Sequence, residues 1–302
     1  MLLRNFETDL REHYLSLSRT MNKNLTTLTR IATLLLTIII YVSGVSATTT
    51  DDTPYLRLMG QADSAIAKED WRKAEMLLVE ALRLEPANPS NVILVSNLGM
   101  MRFYQGRDSM AIATLNDAHE MAPRAVVVLS NRGSVLAALG QYDKAYADWE
   151  AILEIDSLHT GARYLHAMEA MRRGDVATAA RDVDFMNRNA DSDPRTDLAR
   201  GTFYSAIGRY ADAIPSLNHS IEAAPTSELY STRALCYLMT GALNEASADI
   251  AQGMALDPAD GELYLYRALL NRLRYRNDDA KADARRAVEL GISPDRAAPL
   301  MK

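Results

Sequence analysis

Residues 126–157 read VVVLSNRGSVLAALGQYDKAYADWEAILEIDS, two short apolar-striped segments on either side of Gly140. Leu129, Arg132, Gly133 and Leu136 recur at i, i+3, i+4 and i+7, which places them on one face of a helix. Gly140-Gln141-Tyr142-Asp143 interrupts the pattern, since glycine adopts the left-handed backbone that ends helices and aspartate suits the cap of the next one. A second helix then carries Ala145, Trp149 and Ile152 on one face. Neither helix can bury its stripe alone. The spacing therefore predicts a helix pair that needs a neighbouring pair.

The neighbours are visible as a repeat. Ala74, Ala111, Ala145, Ala179, Ala213, Ala246 and Ala280 are separated by 37, 34, 34, 34, 33 and 34 residues. Twelve residues before each stands another small residue: Ala62, Gly99, Gly133, Ala167, Gly201, Ala234 and Ala268. Two small-residue columns on facing helices predict close backbone approach. Prolines punctuate the units at 86, 123, 225 and 258, displaced to 194 and 294 elsewhere. Pro215 reads as falling in the first turn of a second helix, where its missing N–H costs little.

This pattern resembles the tetratricopeptide repeat family, a 34-residue helix-turn-helix with W-x2-L-G-x2-Y, A-x3-F and a closing proline. Unit five carries Gly201, Tyr204, Gly208, Tyr210, Ala213, Leu217 and Pro225, and unit six carries Tyr230, Ala234, Tyr237, Gly241, Ala246, Ile250 and Pro258. Unit four departs most, with Arg163 and Val183 at the aromatic positions and Met186 at the second small one. The resemblance spans residues 55–292. It implies an all-α, right-handed superhelical solenoid of about seven repeats, starting near 55, 92, 126, 160, 194, 227 and 261. Residues 48–54 and 293–302 then read as short tails. The family implies a fold and no single activity.

The ends carry further expectations. Ile31–Val42, IATLLLTIIIYV, is the most apolar run, yet it is shorter than a comfortable membrane span. Lys23 and Arg30 precede it and Val45-Ser46-Ala47 follows, the layout of a signal peptide cut after Ala47, with Met21 as a possible true start. The alternative is an uncleaved signal anchor over residues 31–45. Either reading predicts a cell-envelope or periplasmic location. The last helix, DDAKADARRAVEL, puts Ala284 where other units have larger residues and adds Arg285 and Arg286, so it is expected to face water and end the array.

Charge and chemistry narrow the function. The chain is 24% charged with a formal charge of -6, which argues against nucleic acid as a partner. Cys236 is the one cysteine, so there is no disulfide framework, and it reads as a small buried hydrophobe. Arg132 and Asp148, Arg233 and Asp249, and Arg267 and Asp283 are each sixteen residues apart at one phase of their units, and His166 and Asp182 repeat the spacing. Such pairs are expected to bridge the two helices of a hairpin as structural ion pairs. The five histidines do not converge, no metal-ligand spacing or phosphate loop occurs, and no cofactor or catalytic residue is expected. Arg272, Arg274, Arg276, Lys281, Arg285 and Arg286 make the last unit locally basic; interleaved Asp278, Asp279, Asp283 and Glu289 favour a solvated face over an anion dock.

The resemblance also implies a concave wall built from first helices. Here that wall would hold Asn97, Met100, Phe103, Tyr104, Asn131, Tyr164, Met168, Met171, Leu235, Leu238, Met239, Tyr266 and Leu269. Relatives that grip an acidic peptide end use lysine and asparagine at such positions; Asn97 and Asn131 remain here, but the lysines are absent. Exposed Met and Tyr would suit an adaptable groove for a protein or peptide. The competing reading packs the same side chains between adjacent first helices. The expected function is thus a non-enzymatic envelope scaffold, with a self-associating structural subunit as the alternative.

Overall fold

The structure, a computed structural model, describes residues 53–301. The apolar run at 31–42, the cleavage point after Ala47 and the alternative start at Met21 lie outside the described residues. Fourteen helices of 13 or 14 residues follow one another, and among the described residues there is no strand. They pair as α1 (Pro54–Ile66) with α2 (Trp71–Leu84), α3 (Asn91–Tyr104) with α4 (Asp108–Met121), and α5 (Val126–Ala138) with α6 (Tyr142–Ile155). The series continues with α7 (Thr160–Arg172) and α8 (Val176–Asn189), α9 (Pro194–Ala206) and α10 (Tyr210–Ala223), α11 (Ser227–Thr240) and α12 (Leu243–Leu256), and α13 (Gly261–Leu273) and α14 (Asn277–Glu289). The chain is all-α and built as a solenoid of seven hairpins. It forms two compact bodies that divide inside α7, between Glu169 and Ala170.

Local chemistry sets the helix ends. Thr53, Asp70, Asp175, Asp193, Thr226 and Asp260 each accept a backbone N–H of the first turn they precede. Pro54 and Pro194 start their helices where no N–H partner is needed. Two expectations about breakers change. Gln141, not Asp143, occupies the N-cap of α6 and makes no side-chain cap, and Asp143 lies within the first turn. Pro215 is the sixth residue of α10, past the first turn; it is exposed, so the bond it forfeits is lost on the solvent face.

Within the hairpins of either body, residues sixteen apart face each other. A Cβ added to Gly99 would lie 2.6 Å from Leu115, one on Gly133 2.8 Å from Trp149, and one on Gly201 2.9 Å from Leu217. The small columns are thus the floor on which the large side chain of the returning helix rests. Ala62, Ala234 and Ala268 stand at the same phase of their hairpins and are fully buried.

The first body has one core around Tyr55, Leu78, Leu94, Leu98 and Leu115 and another around Leu129, Trp149 and Ile152. The second has cores around Leu217, Leu229 and Cys236 and around Leu263, Leu265 and Leu269. At its end, the residues read as a tail form a short helix α15 (Pro294–Ala297) and a 3-10 turn (Ala298–Leu300). These pack on α14 and α13, bury Ala297 and Leu300 completely, and tie Arg296 to Glu262. Ala284, sixteen residues after Ala268 and facing it across the hairpin, and Ala287 are buried rather than facing water.

Candidate functional site

The sixteen-residue register also carries charge. Arg132 donates from Nε and Nη2 to the two oxygens of Asp148 at 2.9 and 2.6 Å, Arg233 to Asp249 at 2.8 and 2.6 Å, and Arg267 to Asp283 at 2.9 and 2.6 Å. The fork matches a carboxylate geometrically, and each aspartate is 4–8% exposed, so its charge has little other solvation. The remaining Nη1 reaches back to the preceding hairpin: Arg132 to Asn116 at 3.4 Å, Arg233 to Asn218 at 2.8 Å and Arg267 to Met254 Sδ at 3.3 Å. Each arginine therefore joins three helices. Sequence spacing missed a fourth member, Arg200, which donates to Ser216 at 2.7 Å across the α9–α10 hairpin and to Asp197 one turn away. A hydroxyl in place of the carboxylate hid it. His166 stands at the arginine phase of its own unit, where its ring stacks on Tyr146 with centroids 4.3 Å apart and its Nε2 lies 4.0 Å from Glu150.

The wall side chains divide. Met100, Asn131, Leu235 and Tyr266 are buried, as are Leu238 and Leu269, so an open wall is corrected at these positions. Adjacent first helices pack directly, α3 on α5 and α11 on α13, and these residues fill the space between them. Asn131 donates its amide to Ser96 Oγ at 3.0 Å, across to the preceding first helix. Tyr104 is half-buried against Trp71, with ring centroids 4.6 Å apart. Asn97, Tyr164, Met168, Met171 and Met239 keep intermediate exposure.

A different surface is more open. Leu56, Ile93 and Val127 share one phase of three consecutive first helices and are 46, 43 and 38% exposed. Leu84, Met121 and Ile155 are the last residues of α2, α4 and α6 and are also exposed. Hairpin helices are antiparallel and a short turn joins each second helix to the next first helix. All six side chains therefore lie along the inter-repeat edge of the first body. At the first-helix phase, the second body has Arg195, Glu228 and Glu262 instead.

No protein-family model matches the chain. It is similar to the tetratricopeptide repeat and J domain-containing co-chaperone DNJ1 of Cryptococcus neoformans, 24% identical over 223 residues, 70% of this chain and 42% of that protein. A solved tetratricopeptide repeat protein from Parabacteroides merdae superposes with a TM-score of 0.61 at 27% identity, covering 82% of this chain and 97% of the other. The chain has the tetratricopeptide repeat fold. Pseudomonas aeruginosa pilF shares the fold of this array with a TM-score of 0.61 at 15% identity, over 71% of this chain and 96% of pilF. The array spans less than half the length of the co-chaperone.

Reactive groups in the array are few. Burial pushes the Cys236 thiol up to about 11, which keeps it protonated and a poor nucleophile at neutral pH. Burial, with Asp260 and Asp257 close by, pushes the Glu228 carboxyl up to about 8. Among the described residues, no group of three or more His, Cys, Asp or Glu side chains is placed to hold a metal ion, and no helix is long and apolar enough to cross a membrane.

Proposed function

We propose that this protein is a non-enzymatic docking scaffold of the cell envelope, and that its first body takes the apolar face of a partner protein, as a helix or an extended segment. The observation that carries this reading is the edge of Leu56, Leu84, Ile93, Met121, Val127 and Ile155, each 37–53% exposed. Scattered exposed apolar residues are ordinary, but a row repeated at fixed phase over three hairpins makes a contiguous patch. In the second body Arg195, Glu228 and Glu262 take the first-helix positions while Leu256 keeps an exposed apolar helix end, so the two rows run together only in the first body. Tyr104, Tyr164 and Met168, with part of their surface open, supply further adaptable contacts in the first body, and Met171 and Met239 in the second. Envelope placement rests on the apolar run and the small residues that end at Ala47.

Photo-cross-linking from position 93 in native cells tests the docking surface, with position 195 as the control and the protein's own N-terminus read by mass spectrometry. Partners captured from position 93 alone, on a chain starting at Thr48, are the expected result. An Ile93→Glu, Val127→Glu double variant that folds and retains the same partners would sink the reading. Concentration-dependent dimers of the purified protein that vanish in this variant would instead make it a self-associating subunit.

A further inference from the structure

Seven short turns connect the helices within the hairpins, and each holds one residue at positive φ. In five it is glycine, at 106, 140, 174, 208 and 241, with φ between 73 and 82°. The seventh turn, between α13 and α14, uses Tyr275 at φ 60°; Glu69 in the first turn is the other exception. A side chain with a Cβ is strained in this region, and Tyr275 recovers nothing by packing, being 91% exposed. Its neighbours are equally unusual. Arg272 Nη1 donates to Asn277 Oδ1 at 2.9 Å, and Arg274 donates to the Leu243 carbonyl at 3.0 Å, to Asn244 Oδ1 at 3.2 Å and to Ser247 Oγ at 3.5 Å. All these acceptors are neutral. Among the described residues, no carboxylate lies within 4.0 Å of the guanidinium of Arg272, Arg274 or Arg276, whereas Arg132, Arg200, Arg233 and Arg267 are all held by aspartates. Asp278 and Asp279 follow in the first turn of α14, where the helix N-terminus itself favours acidic groups.

We infer that the α13–α14 turn is a docking point for an acidic protein segment. Tyr275 presents a flat anchor with a polar tip, and Arg272 and Arg276 beside it can each fork a carboxylate. Arg274, tied back to α12, holds the turn in place. The strain is retained because glycine would relieve it only by removing the anchor. A patch one turn wide on a chain of net charge -6 is too small to follow a nucleic-acid backbone, and three arginines fall short of the roughly four or more that anionic membranes attract. The site belongs to the second body, and its reading does not depend on the apolar edge of the first.

Fluorescence polarisation of a labelled peptide with four glutamates around one leucine, titrated with the purified protein, tests this. A basic peptide of equal length, an RNA oligonucleotide and phosphatidylserine vesicles serve as comparisons. Tyr275→Gly is expected to raise the melting temperature by about 2 °C or more, because the strain is lifted, while weakening peptide binding ~10-fold. Arg272→Ala with Arg276→Ala should weaken binding comparably without moving the melting temperature. Acidic and basic peptides bound equally, full affinity in Tyr275→Gly, or tighter binding of RNA or vesicles would each overturn the proposal.

Discussion

Gly133 and Trp149 share one space across the α5–α6 hairpin: a Cβ on Gly133 would stand 2.8 Å from Trp149 Nε1 and 3.2 Å from its Cδ1. The indole is 3% exposed and its ring is rigid, so it cannot give way as a leucine does. Gly133→Ala is therefore expected to cost about 1–3 kcal/mol through overpacking. Adding Trp149→Leu should recover part of that loss, since Ala62 already faces Leu78 in the first hairpin. Urea unfolding of both single variants and the double variant measures the coupling. Additive losses would refute the shared space.

Arg233→Leu leaves Asp249, 4% exposed, as a buried carboxylate without its fork. A loss of about 3–5 kcal/mol is expected, because an unpaired buried charge costs far more than the intact pair contributes. Arg233→Leu with Asp249→Leu should be much closer to the original protein. The comparison separates the cost of an orphaned charge from the worth of the bridge. Unchanged stability in the single variant would mean that the bridge is incidental.

Glu228 gives stability an unusual pH dependence. Burial, reinforced by Asp260 and Asp257, raises its folded-state carboxyl to about 8 from an ordinary 4.5. Between those values the folded chain keeps a proton that the unfolded chain has released, so stability falls as pH rises through the window and levels off above it. Asp260, also raised mainly by burial, adds the same sign above 3.8. Glu228→Gln mimics the protonated form. It should match the original protein near pH 5 and melt roughly 4 °C or more higher at pH 8.5. Melting curves that stay parallel from pH 5 to 9 would contradict this.

The helix pair, its return in seven units and the register within each hairpin were legible from residue spacing, because they follow from distances along a single helix or across one short turn. Ala145 and Gly133 twelve residues apart, and Arg132 and Asp148 sixteen apart, already specify which faces meet. What happens between hairpins emerges from packing in three dimensions. Met100, Asn131, Leu235 and Tyr266 occupy phases that could line an open wall, but packing of neighbouring first helices covers them. Residues 294–300 have no repeat pattern of their own, yet the alanine face of α14 leaves room for them to settle there. Tyr275 was legible as a residue and silent as a strain, since its φ is set by the turn that the hairpin must make. Periodicity records how a helix divides into faces; which face a neighbouring hairpin covers depends on side chains from both hairpins meeting in three dimensions, and no spacing within one hairpin encodes that.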